Sequence, residues 1–317
     1  MKPAIDLPDD PALPGVGAIR ALGLARAIPA LGLDGRGIEL ALRGYTPGSR
    51  ATIAACAGNR RFVVKAYAAD PASEAEAYRA LAAGLGGDSG ARVPPLLVCD
   101  HDFRVLVIGW LDGATTHELL KTGQGERAGE LGARWLERAF SLPVPLGQQL
   151  GAGYVLCEAG RSVTELVAAD PTLRVAASAV GEALADSQPS DGVPRLVHGA
   201  LYDRHVLDQG DGPGVIDWRR FGQGPLELDA AMFLATVTRT GLLDAAAARA
   251  AASAAAVFLA GTRPFLDGDA LVWYRVAALL RLARRQLKRR KDDWRARARV
   301  LLGEAARLAE VDPRRFL

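Results

Sequence analysis

Strand-like runs crowd into the first third of this chain and become scarce beyond it. I-E-L-A-L-R-G-Y, R-A-T-I-A-A-C and R-F-V-V-K-A-Y follow one another with Gly, Pro or Asn turn signals between them, the pattern of an antiparallel meander. P-P-L-L-V-C-D and F-R-V-L-V-I-G-W-L supply two more strands. One helix interrupts the series at A-D-P-A-S-E-A-E-A-Y-R-A-L, with Asp70 as its N-cap and Pro71 at the first helical position. Another is expected over residues 15–33, anchored by Ile19, Leu22, Leu24, Ile28 and Leu31. After Leu111 the periodicity is helical, apart from V-L-D-Q-G and G-V-I-D-W, which read as a small hairpin. A block of strands followed by a block of helices predicts an α+β fold in two lobes. The natural joint is G-W-L-D-G at 109–113, giving a strand-rich N-terminal lobe over 1–110 and a helical lobe over 111–317.

Composition narrows the function classes. Half of the 317 residues are hydrophobic, enough for a real core. Cys56, Cys99 and Cys157 are odd in number and widely spaced, so neither a disulfide framework nor a zinc site is expected. The N-terminus, M-K-P-A-I-D-L-P-D-D, lacks the apolar centre of a leader, and no uninterrupted apolar run approaches the roughly 20 residues of a membrane span. The alanine-rich stretch around Arg249 comes nearest and reads as a buried helix. A cytoplasmic protein without a membrane partner is the expectation. Net charge is +3, but from Ala230 onward seventeen Lys and Arg face eight Asp and Glu. Much of that excess lies in R-L-A-R-R-Q-L-K-R-R-K-D-D-W-R-A-R-A-R at 281–299: a solvated helical face, or a surface for an anion. No nucleic-acid-binding signature accompanies it.

Three segments carry chemistry. Lys65 ends the apolar strand V-V-K-A-Y, where a partly buried ammonium needs an anion. Glu76 on the following helix can supply one, and Glu74 is also available. Upstream, Y-T-P-G-S-R-A at 45–51 is a turn whose backbone N–H groups, with Ser49 and Arg50, can face phosphate oxygens. The third segment is residues 196–229, L-V-H-G-A-L-Y-D-R-H-V-L-D-Q-G-D-G-P-G-V-I-D-W-R-R-F-G-Q-G-P-L-E-L-D.

This third segment resembles the aminoglycoside phosphotransferase family, which includes choline-kinase-like enzymes and shares the protein-kinase fold. The family loop commonly runs H-G-D-L-x-x-x-N-V-L, then I-D-W or I-D-F, then G-x-P-x-x-D-x-A. Here His198-Gly199, Val206-Leu207, Ile216-Asp217-Trp218, Gly224-Pro225 and Asp229-Ala230 keep that spacing. Lys65, the helix glutamate and the turn fall upstream in the right order, so the resemblance covers roughly residues 36–290. It implies ATP and Mg²⁺ as cofactors. Lys65, oriented by Glu76, would touch the phosphates. Backbone at Trp110 and Leu111 would meet the adenine. Asp217 would bind the metal, while His198 and Asp229 brace the loop.

Two positions depart from the pattern. The family's catalytic aspartate falls at Ala200, which can neither accept a proton nor orient a hydroxyl. Its second metal ligand, Asn or Gln, falls at His205, a nitrogen donor where Mg²⁺ prefers oxygen. Asp203 has a place of its own in family members with a Y-D-x-Q-V-L ending, so it does not stand in as the base. General acid–base catalysis is worth about 10²- to 10⁴-fold, and positioning carries much of phosphoryl transfer, so Ala200 alone does not abolish turnover. Three readings follow: a kinase impaired by an Asp-to-Ala replacement, a natural pseudokinase acting as a nucleotide-binding scaffold, or a kinase with unusual loop chemistry. The basic C-terminal third disfavours a polycationic aminoglycoside. It favours a neutral or anionic hydroxyl compound such as a sugar or small metabolite, with a Ser/Thr peptide as a further option. Trp135, Trp273, Tyr274 and Trp294 are candidates to stack on a sugar face or to fill the core.

Overall fold

The computed structural model describes residues 7–35, 37–86, 90–142, 146–289 and 292–310. The chain divides into two compact units, residues 1–86 with 93–112, and residues 87–92 with 113–317.

The first unit contains helices α1 (Pro14–Leu22) and α2 (Leu24–Ala27), strands β1 (Ile38–Thr46), β2 (Arg50–Ala57) and β3 (Arg60–Tyr67), helix α3 (Ala72–Leu85), and strands β4 (Leu96–Asp100) and β5 (Val105–Gly109). The strands form one antiparallel sheet in the order β1-β2-β3-β5-β4. The expected meander is its first half. One sheet face packs Ile53, Phe62, Val64, Val105 and Val107 against Leu13, Val16, Ile19, Leu24 and Ile28. Gly15 makes that approach possible, because a Cβ there would run into the Val105 side chain. The helix expected over 15–33 is broken at Gly23, whose φ of 76° ends α1. The break turns Leu22 outward, and it is exposed rather than an anchor.

The second unit is mostly helical: α4 (Thr116–Lys121), α5 (Gly125–Phe140), α6 (Ala152–Ala169), α7 (Arg174–Asp186), α8 (Leu226–Leu243), α9 (Ala248–Thr262), α10 (Gly268–Arg289) and α11 (Trp294–Glu310). Helix α8 is apolar around most of its circumference and buried accordingly. The stretch Ala245–Thr262 is long and apolar enough, by length and composition, to cross a membrane. Here α9 lies on α5, with Gly125 and Gly129 meeting the backbone of Ala250 and Ala254 so closely that side chains there would collide. Trp135, Trp273, Tyr274 and Trp294 are buried, and Trp273 donates its indole N–H to the Leu184 carbonyl at 2.9 Å. They are core residues, the second of the two roles that the sequence left open for them.

Short strands thread between these helices: β6 (Gln148–Gln149), β7 (Arg195–Val197), β8 (Val206–Asp208), β9 (Pro213–Val215) and β10 (Gly222–Gly224). Strands β8 and β9 form the expected hairpin. Strands β6, β10 and β7 form a second small sheet that the helical reading of this region missed. Of the basic run, residues 290 and 291 and the side chains at 288 and 289 lie outside what is described.

Candidate active site

In the first unit, β3 carries Lys65 inward, opposite Thr52 of β2 and Leu106 of β5. Its ammonium donates to Glu74 Oε1 at 2.7 Å, and the Tyr67 hydroxyl donates to Glu74 Oε2 at 2.7 Å. The partner is therefore Glu74 and not Glu76, which is exposed. Two residues along a helix are about 200° apart, so the two glutamates point in nearly opposite directions. Glu74 lies four residues before Tyr78 and seven before Leu81, both fully buried. That periodicity, applied to the pair, would have selected it.

The turn between β1 and β2 is partly occupied by the protein itself. Gly48, at φ 65°, donates its N–H to Asp10 Oδ2 at 2.7 Å, and the Tyr45 hydroxyl donates to the same oxygen at 3.0 Å. The Gly48 N–H bond is the main reason the Asp10 carboxyl is held below its ordinary range. Ser49 donates its amide to the Thr46 carbonyl at 3.1 Å. The glycine amide of the turn is thus engaged by the Asp10 carboxylate. Arg50 is the first residue of β2 and half-buried.

At the end of this unit the Trp110 amide donates to the Arg61 carbonyl at 3.2 Å. The Arg61 guanidinium lies over the indole ring and ion-pairs with Asp112 at 2.5 Å. The Leu111 amide has no hydrogen-bond partner among the described residues.

In the second unit, β7 delivers the loop His198–His205. Gly199 has φ 69°, and a Cβ there would strike the Arg220 carbonyl, so only glycine fits. The first turn of α8 supplies Asp229, whose Oδ2 accepts the His198 amide at 2.5 Å and whose Oδ1 accepts the Gly199 amide at 2.9 Å. Burial pushes this carboxyl up to about 7, against the two N–H bonds and the nearby Arg281 charge. His198 Nε2 lies 2.9 Å from the Ile216 carbonyl oxygen, tying the loop to the residue before Asp217.

Asp203 is fully buried and functions as a structural hub. It is contacted by His117 Nδ1 at 2.9 Å, the Thr240 hydroxyl at 2.9 Å and the Arg239 guanidinium at 3.2 Å. Its carbonyl accepts the Thr116 hydroxyl and the His117 amide. Burial works against its ionisation, but the His117 bond and the Arg239 charge outweigh it and hold the carboxyl below its ordinary range. His117 and Arg239 were not singled out from the sequence, since an isolated histidine 86 positions away carries no spacing signal.

Ala200 is buried, and its carbonyl oxygen lies 3.0 Å from His205 Nδ1. His205 is pushed down by burial, against the attraction of Asp217, and is therefore neutral near pH 7. With Nδ1 donating to Ala200, Nε2 carries the lone pair, 3.8 Å from Asp217 Oδ2. Asp217 is exposed and stands at φ 67°, a conformation that non-glycine residues hold only when their surroundings impose it. One carboxylate suits a Mg²⁺ held mainly by phosphate and water oxygens, whereas the imidazole nitrogen is a poor second ligand. Among the described residues no cluster of three His, Cys, Asp or Glu could hold a metal.

A model of the phosphotransferase enzyme family matches residues 49–268. Solved structures share the α+β kinase-like fold. Aminoglycoside phosphotransferase APH(4)-Ia superposes with a TM-score of 0.66 at 14% identity, over 93% of this chain and 99% of that one. A choline/ethanolamine kinase family protein from Mesorhizobium loti gives 0.62 at 19% identity, over 94% and 95%. Aminoglycoside-3'-phosphotransferase of type VIII gives 0.55 at 20% identity, over 76% and 93%. None of the curated proteins matches the chain.

Proposed function

Since this chain belongs to the phosphotransferase enzyme family, we propose that it binds ATP with Mg²⁺ and transfers a phosphoryl group to a hydroxyl of a small molecule, slowly because Ala200 stands at the position of the base. The observation that carries this reading is the buried Lys65–Glu74 pair. A strand ammonium fixed by a helix carboxylate is the pairing with which kinase-fold enzymes position a nucleotide's phosphates. Asp217 supplies the carboxylate for the accompanying metal. The related APH(4)-Ia, as a thermostable mutant, was solved with ADP and hygromycin B together, so that protein holds a nucleotide and a small molecule at once.

A second reading is a nucleotide-binding protein without turnover. His205 favours it: its Nδ1 donates to the Ala200 backbone carbonyl and its remaining nitrogen is a poor ligand for Mg²⁺, so two positions of the family loop depart together.

The test is calorimetry with ATP and Mg²⁺, followed by ADP release, on this chain and on Ala200→Asp. Our reading expects both to bind and the Asp variant to turn over about 10²- to 10⁴-fold faster. Binding without turnover in either variant supports the second reading. Absence of ATP binding to both removes the roles given to Lys65 and Asp217.

A further inference from the structure

Three arginines converge on the loop that carries Ala200. Helix α10 brings Arg281 and Arg285 to one face, four residues apart. The Arg285 guanidinium lies 4.5 Å above the Tyr202 ring centroid. Arg281 Nη1 points at the Gly199 carbonyl from 3.4 Å, too far for a strong bond. Arg220 is anchored beside the same loop, its backbone carbonyl packed against Gly199. The charges of all three act on Tyr202, and those of Arg220 and Arg285 act on Arg281.

Like charges at this spacing on a helix repel, and burying them without a counter-charge costs more. Elsewhere on this surface the protein supplies the counter-charge. Arg284, on the same helix, reaches Glu158 at 3.3 Å and Glu165 at 3.5 Å, and Arg295 reaches Asp170 at 3.1 Å. Arg239 is matched by Asp203. Among the described residues, Arg220, Arg281 and Arg285 make no ion pair with a carboxylate. Asp229 is near Arg281, but both its oxygens already accept the His198 and Gly199 amides. The arrangement is a set of planar donors beside the loop, without the anion that such donors match.

We propose that Arg281, Arg285 and Arg220 form an oxyanion subsite for the acceptor, so that the small molecule presented to this loop carries a phosphate or carboxylate group. The acceptor role rests on the phosphotransferase reading, but the anion site itself does not depend on nucleotide binding. It gives the chain a substrate class opposite in charge to an aminoglycoside.

Inorganic phosphate is the probe, titrated calorimetrically into the full chain at constant ionic strength against a chloride control. Arg285→Gln and Arg281→Gln should each weaken phosphate binding by about tenfold, the loss of one charge-assisted hydrogen bond. Exposed Arg220→Gln tests the same site without disturbing the core. A non-hydrolysable ATP analogue with Mg²⁺, held at saturation, should leave the phosphate affinity unchanged. Unchanged phosphate affinity in all three arginine variants overturns the proposal. So does displacement of phosphate by the saturating ATP analogue, which would place the anion at the nucleotide site, and so does phosphate that does no better than chloride. Parallel ATP titrations keep the two readings apart. If ATP fails to bind while phosphate binding still depends on the arginines, the nucleotide reading falls and the anion site stands.

Discussion

At the residue scale, the Lys65–Glu74 pair makes a claim that stability can check. Both side chains are only 7% exposed, so removing one takes a counter-charge from the other in a site that water reaches poorly. Glu74→Ala should cost about 3–5 kcal/mol, whereas the exposed Glu76→Ala should fall within about 0.5 kcal/mol. Urea unfolding of the two variants reads the difference, and equal costs would mean that the buried pair is not what holds Lys65 in place. The lysine was legible in the sequence because an apolar strand ending in Val-Val-Lys has few explanations. The choice of glutamate was legible only to someone who carried the helical period back from Tyr78 and Leu81. Tyr67 as a second donor to Glu74 was not legible, because nothing in a strand sequence says which neighbour reaches across to a helix.

At the element scale, the turn between β1 and β2 shows a local signal read correctly as a turn but incompletely as a site. Its glycine amide does bind a carboxylate, but that carboxylate comes from Asp10, 38 positions away, a distance that no turn pattern spans. If phosphates use this amide, Asp10 competes with them. Asp10→Ala should then tighten ATP binding by about two- to tenfold, the worth of an exposed hydrogen bond, as measured by calorimetry. Unchanged affinity would remove the turn from the phosphate site. The same distinction explains the strands. The sheet of the first unit was legible because its runs of five or more residues carry a pattern. Strands β6, β7 and β10 were not, because two or three residues cannot show a period. Their pairing is set by tertiary packing, including the close approach of Gly222 to Gln148 and Leu150.

At the scale of the whole molecule, three buried groups give stability a pH dependence whose signs differ. Asp203 is held below its ordinary range, so its contribution is present above the unfolded carboxyl value of 3.8 and is lost as pH falls through the folded one. His205 is also pushed down, so the folded chain keeps it neutral and loses stability as pH falls below 6.5. Asp229 goes the other way. Its carboxyl rises from 3.8 to about 7, so between those values the folded chain holds a proton that the unfolded chain has released, and stability falls as pH rises. The shift corresponds to on the order of 4 kcal/mol across the window. Because His205 opposes it over part of the same range, the wild-type profile alone cannot isolate the effect. The difference between wild type and Asp229→Asn can, since the amide does not titrate. The stability advantage of the wild type should therefore shrink by a few kcal/mol from pH 4 to pH 7, as measured by denaturant unfolding at intervals between. An advantage that stays constant across the window would mean that Asp229 remains ionised throughout. In that case the His198 and Gly199 amides, with Arg281 behind them, overcome burial, and the brace of this loop is a carboxylate at every pH the protein meets.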